Sequence, residues 1–398
     1  MFVLNKNIRS KKQEELLNKT PVSNRNQQKK VLILSCGTGG GHNSAAKAIQ
    51  EDLQDKGIKA DFIEYLDIIN PKIKDKVNNL YIKTTQKNGK VFKVVYHLGE
   101  MYQKTKIKSP VYALNFLNKR RLYRFIKENG YQYIVTTHLF AAQTLTAIKK
   151  EYPIKFIAVA TDYVCIPFWQ ETNPDYFIIP SSELEKDFEE KGIAKEKILP
   201  YGIPTSKEYR KVYDKKKCRE KLDLKESEIY LLILTGSMGF GNVTEMLTKL
   251  KEELPKIHYI VACGNNKELL KTVQEQNKTE DSVIALPYTD QISEYMKSSD
   301  IILTKPGGLT STEIATLRKP FIHTMPIPGC ENYNADFFSK RNMSIQCNSV
   351  KEIADDTKKL INDLNKQEEM IKNQEKYIHR NTCDSISKLI INEINIGG

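Results

Sequence analysis

The 398-residue chain is poor in several features that would each have directed a reading. Its seven cysteines (Cys36, Cys165, Cys218, Cys263, Cys330, Cys347 and Cys383) are scattered and odd in number, with no C-x-x-C pair. That excludes a disulfide framework or a zinc-ribbon pattern and fits reduced thiols. No apolar run is long enough to span a bilayer. The longest uncharged stretch, roughly 131–148, carries Gln, His and several Thr and would insert poorly. Residues 1–30 are polar and basic without an apolar h-region, so no secretory signal is expected.

Negative charge is scarce in the early part of the chain. Residues 71–130 hold 15 Lys and Arg against 3 Asp and Glu, and residues 1–30 hold 8 against 2. The whole chain carries a net charge of +13, so the remainder is slightly acidic. A basic segment of this kind serves nucleic acid, an anionic membrane or solubility alone. Hydrophobic residues at 40% and charged residues at 28% describe a globular protein, and the length suits two domains.

Short β-branched runs alternate with helical patterns. Strands are expected at 31–35, 61–65, 133–136, 156–160 and 176–179, with a helix over 42–56. After the Pro/Gly-punctuated stretch 200–204 the pattern restarts, with strands at 229–235, 258–262, 282–286, 300–304 and 320–323. Uniformly apolar strands between helices imply parallel sheets covered on both faces, hence an α/β protein of two doubly wound, Rossmann-like domains. The expected divisions are a basic arm (1–30), an N-terminal domain (31–203), a C-terminal domain (204–375) and a helical tail (376–398).

Two loops carry the chemistry. In the first, Gly39, Gly40, Gly41 and His42 follow the first strand and open a helix. Consecutive glycines permit a tight turn and close approach of a ligand, and the helix start offers unpaired N–H groups. His42 occupies the place where a dinucleotide fingerprint needs its last glycine, and no Gly-Lys-Ser/Thr follows, so neither a dinucleotide motif nor a Walker loop is present. An imidazole at the strand ends suits a general base, although a tight turn with an incidental His reads the same. In the second loop, Gly307 and Gly308 precede Thr310, Ser311 and Thr312, a helix start suited to a diphosphate. Glu313, one turn in, suits a ribose diol or else an ordinary capping box. Weaker signals are the loop containing Gly241 and the segment 326–334, where Glu331 and Asn334 sit at a helix start and suit sugar hydroxyls or a plain cap.

Together the stretches Gly39–Ile49, Lys305–Ala315 and Pro328–Phe338 resemble bacterial diacylglycerol glucosyltransferases and plant monogalactosyldiacylglycerol synthases. More distantly they resemble the peptidoglycan enzyme that adds N-acetylglucosamine to a lipid-linked muramyl peptide. The resemblance runs from about residue 30 to 390 and takes in Thr161-Asp162-Tyr163 ahead of Trp169. It implies a GT-B fold and inverting transfer of a hexose, glucose by preference, from a UDP-hexose donor to a diacylglycerol acceptor at the cytoplasmic face of an anionic membrane. It implies His42 as base, with Asp162 and Trp169 on the acceptor side. Gly307, Gly308, Thr310 and Ser311 would hold the diphosphate, Glu313 the ribose, Glu331 the hexose and Tyr288 the uracil. No metal or other cofactor is implied, in keeping with the lack of any Asp-x-Asp pair. Cys330 stands where relatives carry Gln, which leaves the hexose open. Alternatives are N-acetylglucosamine transfer to a polyprenyl-linked acceptor, or a UDP-sugar sensor.

Aromatic residues interleave with the basic segment: Tyr81, Phe92, Tyr96, Tyr102, Tyr112, Phe116, Tyr123 and Phe125. This suits a headgroup–acyl interface, or a solvated basic face over buried rings. No nucleic-acid recognition module is present.

Overall fold

A computed structural model describes residues 29–37, 40–70, 99, 108–236, 242–326 and 329–396. Most of the basic segment, with Tyr81, Phe92, Tyr96 and Tyr102, and nearly all of the N-terminal arm lie outside them. Gly39 and Gly241 do as well.

Twelve strands form two six-stranded parallel sheets. The first comprises β1 (Lys30–Ser35), β2 (Lys59–Glu64), β3 (Tyr133–Thr136), β4 (Phe156–Val159), β5 (Tyr176–Ile178) and β6 (Ile198–Leu199). Its order is β2-β1-β3-β4-β5-β6. The second comprises β7 (Tyr230–Leu234), β8 (His258–Ala262), β9 (Val283–Leu286), β10 (Ile301–Thr304), β11 (Phe321–Thr324) and β12 (Ile345–Cys347), in the order β12-β11-β10-β7-β8-β9. The helices that matter below are α1 (Gly41–Asp55), α2 (Pro110–Phe116), α3 (Lys119–Glu128), α4 (Leu139–Lys149), α5 (Gly308–Thr316), α6 (Cys330–Ser339), α7 (Val350–Asn362), α8 (Leu364–Tyr377) and α9 (Thr382–Ile396).

The inner strands β3, β4, β7 and β10 are buried along their whole length because both faces are covered. Along β1, Leu32 and Leu34 enter one core with Ile134 and Phe156, while Val31 and Ile33 enter another with Tyr133, Val135 and Ile157. The same two-residue alternation divides β7 between two cores in the second sheet. The expected strands stand where the apolar runs placed them, to within a residue or two. The sheet-edge strands β6 and β12, two and three residues long, were not anticipated.

Strand order fixes where ligands can reach. In each sheet the first strand has neighbours whose connections run in opposite directions, β2 and β3 around β1, and β8 and β10 around β7. A crevice opens there at the carboxyl ends of the strands. The loop before His42 leaves β1 and the loop before Gly308 leaves β10, so each glycine loop sits at the switch point of its own sheet.

The chain crosses between halves twice, near 200–206 and again at 378–382. The crossings touch. Thr382 Oγ1 donates to Tyr201 O at 2.7 Å, and a side chain on Gly202 (φ 105°) would meet that hydroxyl at 2.5 Å. Beyond it, α9 returns to the N-terminal half rather than trailing away. Ile386, Ile390 and Ile394, spaced by four, pack with Val31, Ile33, Ile49 and Leu53. Each such side chain contributes about 1.5–3 kcal/mol of apolar burial. Ile390→Ala is therefore expected to lower the unfolding free energy by about 2–5 kcal/mol in urea titrations, a large effect for a residue eight from the C-terminus. Unchanged stability would mean that α9 does not belong to this core.

Candidate active site

His42 is the second residue of α1, whose N-cap is Gly40. Small residues on the buried face, Ala45, Ala46 and Ala48, let the helix lie close against its neighbours. The half-buried imidazole is fixed through one nitrogen. Nδ1 lies 3.0 Å from the carbonyl oxygen of Thr137 and 2.8 Å from Thr161 Oγ1. A carbonyl oxygen only accepts, so the proton of neutral His42 resides on Nδ1 and the Nε2 lone pair is available. Thr137 Oγ1 in turn donates to the His42 carbonyl at 3.0 Å, tying α1 to the loop after β3. Burial pushes the His42 pKa below its usual 6.5, while the Asp162 carboxylate pulls the other way. His138, whose ring meets that of His42 edge-on at 4.8 Å, is held neutral by burial. The result is an uncharged imidazole near neutrality.

Across the crevice, α5 begins at Gly308 with Gly307 as an N-cap that provides no side-chain bond. The first intrahelical bond is Ser311 N to Gly307 O, so the N–H groups of Gly308, Leu309 and Thr310 have no partner within the helix. With the dipole behind them they form an anion site. Ser311, expected at the diphosphate, faces away. Its buried hydroxyl lies 2.8 Å from His323 Nε2, and His323 Nδ1 is 3.1 Å from Ser344 Oγ, so Ser311 fastens the helix to β11. Thr310 is half-buried at the exposed side of the turn.

The two helix starts abut. A side chain on Gly308 would sit 2.0 Å from the carbonyl oxygen of Thr161, and one on Gly41 would lie 3.6 Å from Leu309 Cβ. Only glycine permits α5 to approach the other half this closely.

Glu313 is buried, 8% exposed, without a hydrogen-bond partner among the described residues, and desolvation raises its pKa to about 8. Glu331, at the start of α6, pairs with Lys305 Nζ at 2.8 Å. Cys330 beside it stays a thiol, because burial and the nearby Asp162 and Glu331 carboxylates push its pKa well up. Tyr288, just beyond β9, is 58% exposed.

Two further expectations are corrected. Asn334, expected at sugar hydroxyls, is fully buried; its amide donates to Pro306 O and Asp162 Oδ1, both at 3.0 Å, and accepts from Tyr163 N at 2.7 Å. Both of its N–H groups are engaged. Trp169, expected on the acceptor side, is a core residue packed edge-on against Phe177 at 5.1 Å. Sequence reasoning also passed over Thr137, His138 and Lys305. The signal available for them was position: each follows a strand next to a switch point. No group of His, Cys, Asp and Glu suited to a metal ion occurs among the described residues.

Residues 42–205 match the family model for monogalactosyldiacylglycerol (MGDG) synthase, and residues 230–390 match that for the glycosyltransferase family 28 C-terminal domain. Among curated proteins, the chain is similar to a processive diacylglycerol beta-glucosyltransferase of Bacillus cytotoxicus, 28% identical over 84% of this chain and 86% of the relative. A protein of the same description from Bacillus pumilus is 26% identical over 93% and 97%. Among solved structures, Acinetobacter baumannii MurG superposes with a TM-score of 0.61 at 16% identity, covering 92% of this chain and 99% of that one. Anabaena Alr3699/HepE in complex with UDP gives 0.57 at 13%, over 91% and 100%. The chain thus has the GT-B fold, with an N-terminal half that matches the MGDG synthase model and a C-terminal half that matches the glycosyltransferase family 28 C-terminal domain model.

Proposed function

We propose that the protein is an inverting glycosyltransferase that moves a hexose, glucose by preference, from a UDP-sugar to diacylglycerol at a membrane surface. The names of the curated relatives support the acceptor and the sugar, and the two family domains support the reaction type. The observation that carries the reading is the fixed tautomer of His42. Its Nδ1 is engaged by the Thr137 carbonyl, which leaves the Nε2 lone pair for an acceptor proton, and the other half brings an uncapped helix start against the same loop.

In this reading Nε2 takes the proton of the acceptor hydroxyl as its oxygen bonds to the anomeric carbon. The bond from that carbon to the diphosphate oxygen breaks with its electron pair, and configuration inverts. The charge that develops on UDP is met by the N–H groups of Gly308, Leu309 and Thr310, by the α5 dipole and by Lys305. These groups belong to the chain, so the mechanism calls for no metal. Glu313 accepts from the ribose diol, Glu331 from the hexose, and Tyr288 covers the uracil.

The membrane contact falls on α2 and α3. Leu114 and Leu117 are 66% and 76% exposed, with Phe116 beside them, and the exposed Arg120, Arg121 and Arg124 follow at once. Apolar side chains rimmed by guanidinium groups suit an anionic interface. The other described aromatics do not face lipid. Tyr112 is buried, Tyr123 stacks on Tyr152 at 3.8 Å, and Phe125 packs against Tyr131 at 6.0 Å. No described helix is long and apolar enough to cross a membrane, so docking is peripheral in this reading.

The direct test is to incubate the protein with diacylglycerol in anionic vesicles and each common UDP-hexose, and to identify the lipid by mass. A hexosyl-diacylglycerol is expected, with His42→Ala lowering kcat by about 10²–10⁴ while UDP binding survives. Undiminished transfer by that variant would refute the base. Donor affinity should also report on Glu313. Its pKa of about 8 in the free protein falls when ribose hydroxyls donate to the charged form. Binding then releases a proton and tightens as pH rises toward 8, becoming flat above it. Calorimetry across pH 6–9 should show this slope, and Glu313→Gln should abolish it. Finally, replacing Leu114 and Leu117 by Asp should weaken vesicle co-sedimentation by about tenfold or more at low salt, with UDP binding unchanged. Equal sedimentation would place the dock elsewhere.

A further inference from the structure

The loop after β4 belongs to the N-terminal half, yet it is held chiefly by the C-terminal half. Asn334 on α6 accepts from Tyr163 N at 2.7 Å and donates to Asp162 Oδ1 at 3.0 Å. The Tyr163 hydroxyl lies 2.8 Å from Thr312 Oγ1 on α5, and its ring packs against Phe337 at 4.4 Å and Phe338 at 4.8 Å. Gly308 lies against the Thr161 carbonyl so closely that no side chain fits between them. Two residues of this loop also act on the base: Thr161 Oγ1 is 2.8 Å from His42 Nδ1, and the Asp162 carboxylate acts on its charge. Loop 161–163 is thus the mechanical link between the sugar-nucleotide half and the imidazole.

We propose that this loop couples domain closure to catalysis, with Asn334 as the positioning residue that sets Asp162 and Thr161 against His42 only when the two halves are together. The inference rests on His42 being the base. In the open protein, α6 and α5 withdraw, the loop loses Asn334, Thr312 and Gly308 at once, and Nδ1 keeps only Thr137. A donor bound to the C-terminal half then faces no aligned base, and water is not activated against it. Closure over both substrates restores the alignment, which ties proton removal to the presence of the acceptor.

The titratable groups acting on His42 are Asp162, from this loop, and His138, from the loop after β3. At this point α5 presents Gly308 and Leu309, which are uncharged. Freed from Asn334, Asp162 turns toward solvent and no longer favours the imidazolium, so the base titrates at lower pH. A second carboxylate at 334 does the opposite.

The test measures kcat, donor KM and the pH profile of kcat/KM for the full chain, using UDP-glucose and diacylglycerol in anionic vesicles. For Asn334→Ala, kcat should fall about tenfold or more with donor KM within about threefold, and the acid limb should move to lower pH. For Asn334→Asp the acid limb should move to higher pH. Tyr163→Phe keeps the packed ring and removes only the bond to Thr312, so it serves if Asn334 variants fold poorly; it should lower kcat several-fold, roughly, at constant KM. An unmoved acid limb in the Asn334 variants, with raised donor KM or altered hexose choice, would make Asn334 a sugar contact and overturn the proposal. Unaltered kcat in Tyr163→Phe would overturn it too. Failure of the parent reading is distinguishable, because His42→Ala would then retain transfer whatever the behaviour of Asn334.

Discussion

The contact between Gly308 and the carbonyl of Thr161 is the constraint on which the site depends. It brings the start of a helix from one sheet against a strand-end loop of the other, with no side chain between them. Gly308 follows β10, beside the switch point of its sheet, and Thr161 follows β4, two strands along from β1 at the same carboxyl edge of the other sheet. Two ordinary nucleotide-type crevices are thereby turned face to face. One contributes an imidazole and the other an uncapped row of N–H groups. Neither half has both, so the chemistry arises from their meeting. The core itself follows this arrangement: Ala45 and Tyr163 from the first half share a hydrophobic cluster with Leu309, Ile314 and Phe337 from the second.

Electrostatically the site relies on burial and backbone more than on formal charge. Desolvation keeps His42 and His138 neutral and raises Glu313 to about 8. Lys305, three residues before the helix start, pairs with Glu331 at 2.8 Å. A low-dielectric crevice of this kind strengthens each hydrogen bond that a ligand makes in it and penalises a polar group left unpaired. A buried carboxyl group without a hydrogen-bond partner is therefore a demand for one. An anion arriving at Gly308–Thr310 likewise meets N–H groups already aligned, with little reorganisation needed.

The sequence disclosed the frame of this site more fully than its side chains. Uniform apolar runs located ten of the strands, and glycine loops after strands located both helix starts, because backbone requirements leave residue-type signatures. Side-chain direction leaves no such mark. Ser311 and Thr310 are adjacent in the same motif, yet one is buried against His323 and the other is half-exposed, a difference set by the helical turn and by β11. Asn334 read as a sugar ligand because its partners, Tyr163 and Asp162, lie more than 170 residues away in sequence. Trp169 read as an acceptor-side residue and proved to be packing, and of the two readings open for the aromatics of the basic segment, buried rings hold for most of the described ones. The edge strands β6 and β12 were too short for periodicity to register. The return of α9 to the first domain, by contrast, was visible in principle in the spacing of Ile386, Ile390 and Ile394, but the pattern does not name the surface it covers.

The central claim is that His42 and the start of α5 act on one substrate. It is tested most directly by a crystal structure of the full chain with an intact UDP-hexose analogue. The account places the diphosphate oxygens within hydrogen-bonding distance of the Gly308, Leu309 and Thr310 N–H groups, the ribose on Glu313, and the anomeric carbon toward His42 Nε2. A diphosphate bound away from that helix start, or an anomeric carbon turned from the imidazole, would contradict it.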